Sequence, residues 1–294
     1  MPELPEVETI ASDLSERLRG LKITSLDLLS SISVKNTLVF FKKNLLGSSF
    51  KSISRRGKLL IFELSGKNNN YLLIHLKMTG QLIYIDKKVR LEGGHSSKRE
   101  ESIDAFGLKL PNSHTRVIIN FENNSKLFFN DLRKFGYLKI VNADELKKIL
   151  ENNYGPEPLT KEFTTKYLEN LLAYRKTNIK AILLNQKLIA GLGNIYVDES
   201  LFAANILPTR AASNLTKAEI KKMHSEINII IKKAIKYRGT TFSNYVDSKG
   251  HKGNFSKYLK VYGRKNEKCL VCGTPILKIK MLGRGTHYCP YCQK

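Results

Sequence analysis

The chain has 294 residues, of which 41% are hydrophobic, and this composition excludes an intrinsically disordered protein. Its length allows two or three small domains, each with a core of its own. No run of about 18 apolar residues occurs, which excludes a membrane-spanning helix. No basic and apolar leader precedes the first predicted helix, so we expect a cytoplasmic protein.

The charge balance is strongly basic. The sequence contains 50 Lys and Arg residues against 26 Asp and Glu, a net charge of +24, and its pI is about 9.8. This surplus favours a polyanionic partner, with nucleic acid ahead of an anionic membrane surface. An AT-rich genome, which enriches Lys, Asn and Ile, is the alternative explanation.

The first predicted element is an amphipathic helix over residues 3–20, because apolar residues recur there at steps of three and four. These residues are Leu4, Val7, Ala11, Leu14 and Leu18. Gly20 ends the run and marks the end of the helix.

A reactive amine is predicted at the start of this helix. Pro2 is small enough to favour removal of Met1, which leaves its secondary amine as the chain terminus. A terminal amine has a reference pKa of about 7.7–8.0, so roughly a tenth of it is neutral at pH 7 and able to attack a carbonyl carbon. Glu3 and Glu6, one turn apart, flank the amine, although acidic residues in a first turn also complement the helix dipole.

The pattern changes to β from residue 22 to 141, where short segments rich in β-branched and aromatic residues alternate with Gly, Asn and Ser. The predicted strands are 23–29, 50–56, 59–64, 71–76, 82–85, 117–121, 126–129 and 137–141. This number of strands predicts a sandwich or a barrel. Residues 87–113 are polar and show little periodicity, so a long surface loop is expected there.

Helices are predicted in the second half of the chain. Their ranges are 144–151, 160–172, 178–184, 195–204 and 217–237. The stretch 154–158, which contains two Pro residues and a Gly, breaks the chain between domains. Residues 238–256 resemble a loop again, and the tail from about residue 260 carries all the cysteines.

The four cysteines form the strongest local motif. Cys269 and Cys272 are followed by sixteen residues and then by Cys289 and Cys292. This spacing predicts a zinc site in which two knuckles complete one tetrahedron. Because all four ligands come from the protein, the zinc is expected to be structural, and it supplies about 10–16 kcal/mol of apparent folding free energy.

Two glycine-containing turns suit phosphate binding. Residues 191–196 lead into a predicted helix, whose first backbone amides attract an anion. No strand precedes them, which argues against a dinucleotide site, and Asn194 is alternatively a simple helix N-cap. Arg284 lies between Gly283 and Gly285 in the predicted hairpin. Its guanidinium either binds a phosphate or is an ordinary solvated side chain.

Two apolar side chains lie at strand ends beside basic residues. They are Met78, in the stretch 75–80, and Phe135, in the stretch 131–136. Proteins that kink DNA insert such wedges between bases, although in isolation both residues are more often part of a core. Lys58 opens a predicted strand, and nothing local distinguishes it from the other lysines.

Taken together, these motifs resemble those of the bacterial formamidopyrimidine-DNA glycosylases, bifunctional enzymes that remove oxidised purines. The resemblance runs nearly end to end. The matching stretches, which occur in the family's order, are 1–8, 75–80, 131–136, 155–158, 191–196, 261–264 and the four cysteines.

The resemblance implies an α+β multidomain protein. Residues 1–142 would form an N-terminal catalytic helix and a β-sandwich. Residues 143–258 would form a helix–two-turns–helix domain with a lesion-capping loop at 239–255, and residues 259–294 a zinc finger. It also implies one structural Zn²⁺, no catalytic metal or redox cofactor, and a monomer that acts on duplex DNA containing oxidised bases or abasic sites.

The resemblance assigns five catalytic residues. Pro2 would attack C1′ of the damaged nucleotide and form a Schiff base. Glu3 would be the main proton shuttle and Glu6 a supporting carboxylate. Lys58 would assist at the base and in β-elimination, and Arg284 would grip phosphates and serve δ-elimination. While Met1 is attached, Pro2 is an amide, so the encoded form is expected to be inert.

It also assigns six DNA-binding residues, three of which fill the gap that the flipped base leaves. These three are Met78, Arg133 and Phe135.

The other three are Lys176 and Asn194, at backbone-binding positions, and His114, counted back without a gap from Arg133. The stretch 87–110 is longer than usual for the family and directly precedes His114. Thr79 occupies a variable position near the lesion pocket, which leaves the preferred lesion open.

Two alternatives stay open. Endonuclease VIII, the sister enzyme for oxidised pyrimidines, shares the fold and the terminal proline, whereas the opening Pro-Glu-Leu-Pro-Glu and the pair Arg133 and Phe135 favour the purine enzyme. A non-catalytic zinc-ribbon nucleic-acid binder is the alternative from another class, in which the first residues only cap a helix.

Overall fold

The structure, a computed structural model, describes residues 2–66, 69–94, 110–240 and 254–294. Met1, the middle of the predicted loop 87–113 and most of the predicted capping loop 239–255 lie outside the described residues. The chain divides into two compact units, Met1–Leu150 with Arg238–Asn254, and Glu151–Tyr237 with Phe255–Lys294. In the described ranges, no helix is both long enough and apolar enough to cross a membrane.

The helices are α1 (Leu4–Leu18), α2 (Leu38–Leu45), α3 (Ala143–Asn153), α4 (Thr165–Leu172), α5 (Ile179–Leu184), α6 (Asn194–Ala204) and α7 (Lys217–Lys236). The strands are β1 (Ile23–Leu28), β2 (Phe50–Arg56), β3 (Leu59–Leu64), β4 (Tyr71–His75), β5 (Gly80–Ile85), β6 (Arg90–Gly94), β7 (Thr115–Phe121), β8 (Lys126–Asp131), β9 (Tyr137–Val141), β10 (Leu277–Met281) and β11 (Arg284–Tyr288).

Helix α1 has a capped first turn and one buried apolar face. Pro5 lies in the first turn, where its missing N–H leaves no hydrogen bond unmade, and Glu3 and Glu6 form a reciprocal capping box. The apolar face packs against β2 and β6. A Cβ atom at Gly93 of β6 would be 2.4 Å from Ile10 Cγ1, so only glycine allows the strand this close. This packing anchors the N-terminal end of the chain.

Two antiparallel sheets form a sandwich in the first unit. One has five strands in the order β1-β7-β8-β5-β6, and the other has four in the order β2-β3-β4-β9. Phe50 and Phe62 from the second sheet meet Phe121 from the first in the core. The ring centre of Phe50 lies 5.0 Å from that of Phe62 and 6.1 Å from that of Phe121. The predicted α+β fold with a β-sandwich is confirmed.

The sequence prediction misses two elements of this unit. Helix α2 has only eight residues and shows no clear apolar period, and Thr37 caps it by accepting the Phe40 N–H. Strand β6 lies inside 87–113, so the loop prediction is wrong for Arg90–Gly94. Its two glycines weaken the strand pattern, yet Gly93 makes room for the Ile10 side chain and Gly94 permits close contact with the backbone of β5.

The second unit contains helices α4 to α7 and the β10–β11 hairpin. Helix α4 begins at Thr165, later than the predicted residue 160, because the Thr164 side chain accepts the Tyr167 N–H at 3.0 Å and caps it there. Helix α7 begins with a capping box of Thr216 and Glu219. A hydrogen bond from Arg210 is the main cause that lowers the pKa of Glu219 to about 2.

Candidate active site

The predicted nucleophile lies directly before α1. Pro2 is buried, and the side chains of Glu3 and Glu6 are 3% and 1% exposed. Glu6 Oε2 accepts the Glu3 backbone N–H at 3.0 Å. Glu6 Oε1 accepts the backbone N–H and the hydroxyl of Thr240 at 2.8 and 3.1 Å. One helical turn therefore brings two solvent-shielded carboxylates next to the proline, and a remote segment of the chain contacts one of them.

Lys58 lies at the same end of the four-stranded sheet as His75. It follows Gly57, whose φ of +56° makes the turn after β2, and it is 4% exposed. Its neighbour Leu59 pairs with His75 across β3 and β4. Burial, and then the charges of Lys77 and Lys58, lower the pKa of His75 to about 3. The imidazole is therefore neutral near pH 7, and its Nδ1 accepts the Lys77 N–H at 3.0 Å.

The three predicted gap-filling residues come together on the surface of the first unit. The guanidinium carbon of Arg133 lies 4.7 Å from the centre of the Phe135 ring. The Nη1 atom of the same arginine is 3.4 Å from Met78 Sδ. Met78 and Phe135 are 46% and 53% exposed, although both are large and apolar. The structure therefore places an apolar wedge around a cation, ready for contact with another molecule.

Asp131 holds the two loops that carry this wedge. Its side chain is fully buried. Oδ1 accepts the Thr79 hydroxyl at 2.5 Å and the Arg133 N–H at 3.2 Å, and Oδ2 accepts the Gly136 N–H at 2.6 Å. The Asp131 N–H donates to the carbonyl of His114 at 2.9 Å, which places half-buried His114 beside the wedge loops. The sequence prediction assigns no role to Asp131, because its contact with Thr79, 52 residues earlier, is made only in the folded chain.

Asn194 and Arg284 lie at adjacent turns of the second unit. Gly193 is the N-cap of α6 and Asn194 its first residue, so the alternative interpretation of Asn194 as the cap is wrong. Its side-chain amide donates instead to the Gly285 carbonyl at 2.8 Å, next to exposed Arg284. Lys176 is exposed in the connection between α4 and α5. The structure thus joins Asn194 to the hairpin that presents Arg284.

Buried ionic contacts fix that hairpin to α5 and α6. Lys180 Nζ donates to Asp198 Oδ1 at 2.5 Å and to the Thr286 hydroxyl at 2.8 Å, and both charged side chains are fully buried. Glu199 accepts the backbone N–H groups of residues 260–262 at 2.8 to 2.9 Å. Burial raises the pKa of Glu199. The hairpin is held to the buried pair of Lys180 and Asp198 by the Thr286 hydroxyl and by the His287 N–H, which Asp198 Oδ2 accepts at 2.8 Å, and these hydrogen bonds limit how far the turn that bears Arg284 can shift.

The four cysteines converge as a zinc site requires. Their Sγ atoms all lie within 4.8 Å of one another, with 3.9 Å between Cys269 and Cys292 and 3.5 Å between Cys272 and Cys289. Zn–S bonds of about 2.3 Å give a tetrahedron with edges of roughly 3.8 Å. The Val271 N–H points to Cys269 Sγ at 3.4 Å, an interaction that stabilises a thiolate. The residues present therefore fit a tetrahedral zinc ion.

Three family models match successive parts of the chain. The N-terminal domain of formamidopyrimidine-DNA glycosylase matches residues 1–138, and the H2TH domain of the same enzyme matches residues 154–246. The zinc finger found in FPG and IleRS matches residues 266–294.

Similar proteins align over the whole chain. The formamidopyrimidine-DNA glycosylase of Desulforamulus reducens is 42% identical over 100% of this chain and 99% of its own. A crystal structure of the Lactococcus lactis enzyme, non-covalently bound to DNA containing an AP site, has a TM-score of 0.84, 36% identity and 99% coverage of both chains. Another complex of that enzyme, with DNA containing an oxidised pyrimidine, has a TM-score of 0.84, 37% identity and full coverage of both chains.

The fold, the three matched domains and the four-cysteine finger define a DNA glycosylase of base-excision repair. Within that class, the chain belongs to the formamidopyrimidine-DNA glycosylase family. The family predicted from the sequence motifs is confirmed, and with it a zinc-binding finger at the C-terminal end.

Proposed function

We propose that this chain removes oxidised purines, namely 8-oxoguanine and formamidopyrimidines, from duplex DNA and then cleaves the strand at the abasic site. The observation that carries the proposal is the start of α1, where Pro2 lies beside the buried carboxylates of Glu3 and Glu6. The names of the relatives, and the AP-site DNA bound in the Lactococcus lactis structure, support it.

The chemistry follows from the amine. The neutral nitrogen of mature Pro2 bonds to C1′, and the glycosidic bond breaks as the base leaves with a proton. Opening of the sugar ring, with a proton delivered to its oxygen by Glu3, leaves a cationic iminium between Pro2 and C1′. The iminium acidifies the C2′ proton, and its loss expels the 3′ phosphate. A second elimination expels the 5′ phosphate, and water then releases the proline.

The remaining catalytic assignments belong to the same proposal. Glu6 supports the amine and Glu3, and Lys58 assists departure of the base and β-elimination. Its buried position near His75, whose pKa its charge helps to lower, supports this role. Arg284 grips phosphate and serves δ-elimination, from a hairpin that Asn194 and Lys180 fix in place.

DNA is bound by bending the duplex and flipping the damaged base, which costs a few kcal/mol. Met78, Arg133 and Phe135 enter the vacated space, and their exposed cluster supports this role. Lys176 and Asn194 contact the DNA backbone, His114 also contacts the DNA, and the net charge of +24 attracts the duplex from a distance.

The overall organisation is proposed as follows. The protein works as a monomer in the bacterial cytoplasm and holds one structural zinc ion between the four cysteines. Its domains are 1–142, 143–258 with a lesion-capping loop at 239–255, and 259–294. The four converging Sγ atoms support the zinc.

Oxidised pyrimidines are the second candidate substrate. The Lactococcus lactis enzyme has been crystallised with DNA that contains an oxidised pyrimidine, which favours this candidate. Release of 8-oxoguanine and of thymine glycol from otherwise identical duplexes separates the two. A clear preference for thymine glycol would overturn the purine assignment.

Borohydride trapping tests the proposal as a whole. Protein from which Met1 has been removed should form a covalent adduct with a duplex containing 8-oxoguanine. Pro2→Gly should lose the adduct, because it removes the pyrrolidine nitrogen that α1 holds beside Glu3 and Glu6. A form that retains Met1 should lose it as well, because the nitrogen of Pro2 is then an amide and a displaced methionine amine is the terminus. If the mature protein also forms no adduct, the chain is a non-catalytic zinc-ribbon binder of nucleic acid.

A further inference from the structure

The Glu6 carboxylate joins two distant parts of the first unit. One oxygen accepts the N–H of the peptide bond between Pro2 and Glu3. The other accepts both the backbone N–H and the hydroxyl of Thr240, 234 residues further along the chain. Because Glu6 is 1% exposed, water does not compete for these oxygens. The position of the Pro2–Glu3 peptide is therefore coupled to the position of Thr240.

A second contact attaches the same segment to α1. Arg238 Nη2 lies 2.5 Å from Asp13 Oδ2, and the two side chains are 27% and 13% exposed. Asp13 is seven residues after Glu6, so two full turns place both acidic residues on the same face of the helix. Two contacts at separate points fix the direction as well as the location of residues 238–240.

The backbone of this segment enters the left-handed region, which is unfavourable for a residue with a side chain. Arg238 and Gly239 have successive φ values of +61° and +79°. An arginine is unfavourable in the left-handed region, and its ion pair with Asp13 offsets that cost. A Cβ atom at Gly239 would lie 2.5 Å from Glu6 Oε1, so only glycine allows the chain to pass the carboxylate.

We propose that Arg238, Gly239 and Thr240 form a positioning segment for the catalytic amine. Thr240 orients Glu6, Glu6 orients the Pro2–Glu3 peptide, and the pair of Arg238 with Asp13 holds the segment on the helix. The role is one of positioning, because the contacts of these residues reach α1 through Glu6 and Asp13. The inference rests on the proposed function, because it assumes that Pro2 is the nucleophile.

The test measures the rate of borohydride trapping in a single turnover on a saturating abasic-site duplex, together with the dissociation constant for that duplex. Thr240→Val removes the hydroxyl and keeps the N–H, and should slow trapping about tenfold, as expected for loss of a hydrogen bond to a charged group. The dissociation constant should change less than twofold. Thr240→Ser, which keeps the hydroxyl, should restore the rate.

Asp13 and Arg238 are tested as a pair. Arg238→Gly places a residue that tolerates the positive φ at this position. Asp13→Asn and Arg238→Gly should each slow trapping about threefold. The double variant should be no slower than either single variant, because both changes break the same ion pair. Glu145→Gln is the matched control, because it breaks the half-buried ion pair of Lys139 with Glu145 in the same unit and should leave trapping unchanged.

The outcomes separate the two proposals. If wild-type mature protein forms no adduct, the proposed function itself fails. If wild-type protein is trapped and Thr240→Val is trapped equally fast, the positioning segment is wrong. It is also wrong if Thr240→Val weakens DNA binding and slows trapping by the same factor, or if Thr240→Ser fails to restore the rate. Each of these results would indicate a general loss of structure at residue 240.

Discussion

The guanidinium of Arg133 stacks on the ring of Phe135, with 4.7 Å between the guanidinium carbon and the ring centre. Both side chains lie on loops between strands, and each has abundant alternative rotamers in water. Their contact, with Met78 on the other side of the arginine, means that the wedge is assembled before any DNA is bound. In the proposed gap-filling role, the conformational entropy of these side chains is therefore lost when the protein folds and not when it binds DNA, which favours tighter binding.

Removing the ring of Phe135 should weaken recognition of a damaged site. Phe135→Ala should reduce the affinity for an abasic-site duplex by about 5- to 160-fold, because stacking of an aromatic side chain against a base contributes about 1–3 kcal/mol. A fluorescence titration with 2-aminopurine next to the abasic site measures both affinity and unstacking. Leu132→Ala is the control, since Leu132 is equally exposed in the same loop but outside the wedge. An equal loss in Leu132→Ala would contradict a specific wedge.

Loss of the hydrogen bond from Thr79 to Asp131 should disturb the two loops that Asp131 holds more than the hydrophobic core of the sandwich. Thr79→Val leaves a buried carboxylate oxygen with one donor fewer, which costs about 1–3 kcal/mol. We expect a lower melting temperature and weaker binding to abasic DNA in this variant. Thr79→Ser keeps the hydroxyl and should behave like the wild type in both calorimetry and binding. A stable Thr79→Val variant with normal binding would show that Asp131 does not organise the wedge.

His75 should make the protein less stable in mild acid. Its folded-state pKa of about 3 is below the value of about 6.5 in the unfolded chain, so the unfolded state binds more protons between these values. Its contribution to stability is present above about pH 6.5 and is lost as the pH falls toward 3, by at most about 1.4 kcal/mol per pH unit. His75→Gln should flatten the fall in the free energy of unfolding between pH 6.5 and 4. An NMR titration of wild-type His75 with a midpoint near 6.5 would contradict this.

Zinc removal should abolish DNA binding without unfolding the first unit. The finger supplies the Arg284 hairpin, and its own core is small, so its fold depends on the metal. Chelation or Cys269→Ser should eliminate binding to an abasic-site duplex, while near-ultraviolet circular dichroism still reports a packed sandwich. Val271→Ala, at an exposed position of the same knuckle, is the control and should retain one zinc per chain by elemental analysis. Normal DNA binding by zinc-free protein would contradict this role of the finger.

Features encoded locally are the ones that the sequence predicts well. The spacing of the four cysteines is enough to predict the zinc site. Strands such as β2, β3 and β9 have the predicted bounds, because each is a continuous run of strand-forming residues bounded by turn residues. Strand β6 escapes prediction because Gly93 is required by Ile10, 83 positions earlier, and not by its own neighbours. Asp131, Asp198 and Glu199 are missed for the same reason, since each accepts a hydrogen bond from a residue at least 52 positions away that only the fold brings near.

The contact between Glu6 and Thr240 has a consequence for how the protein is made. A ribosome adds roughly 5–20 residues per second, so roughly 12–47 s separate the synthesis of Glu6 from that of Thr240. Throughout that time the nascent chain already carries Pro2, Glu3 and Glu6 but lacks the donors that orient Glu6. Unfinished or truncated chains that end before residue 238 therefore contain the nucleophile without its positioning contact, and we expect them to be poor at trapping DNA.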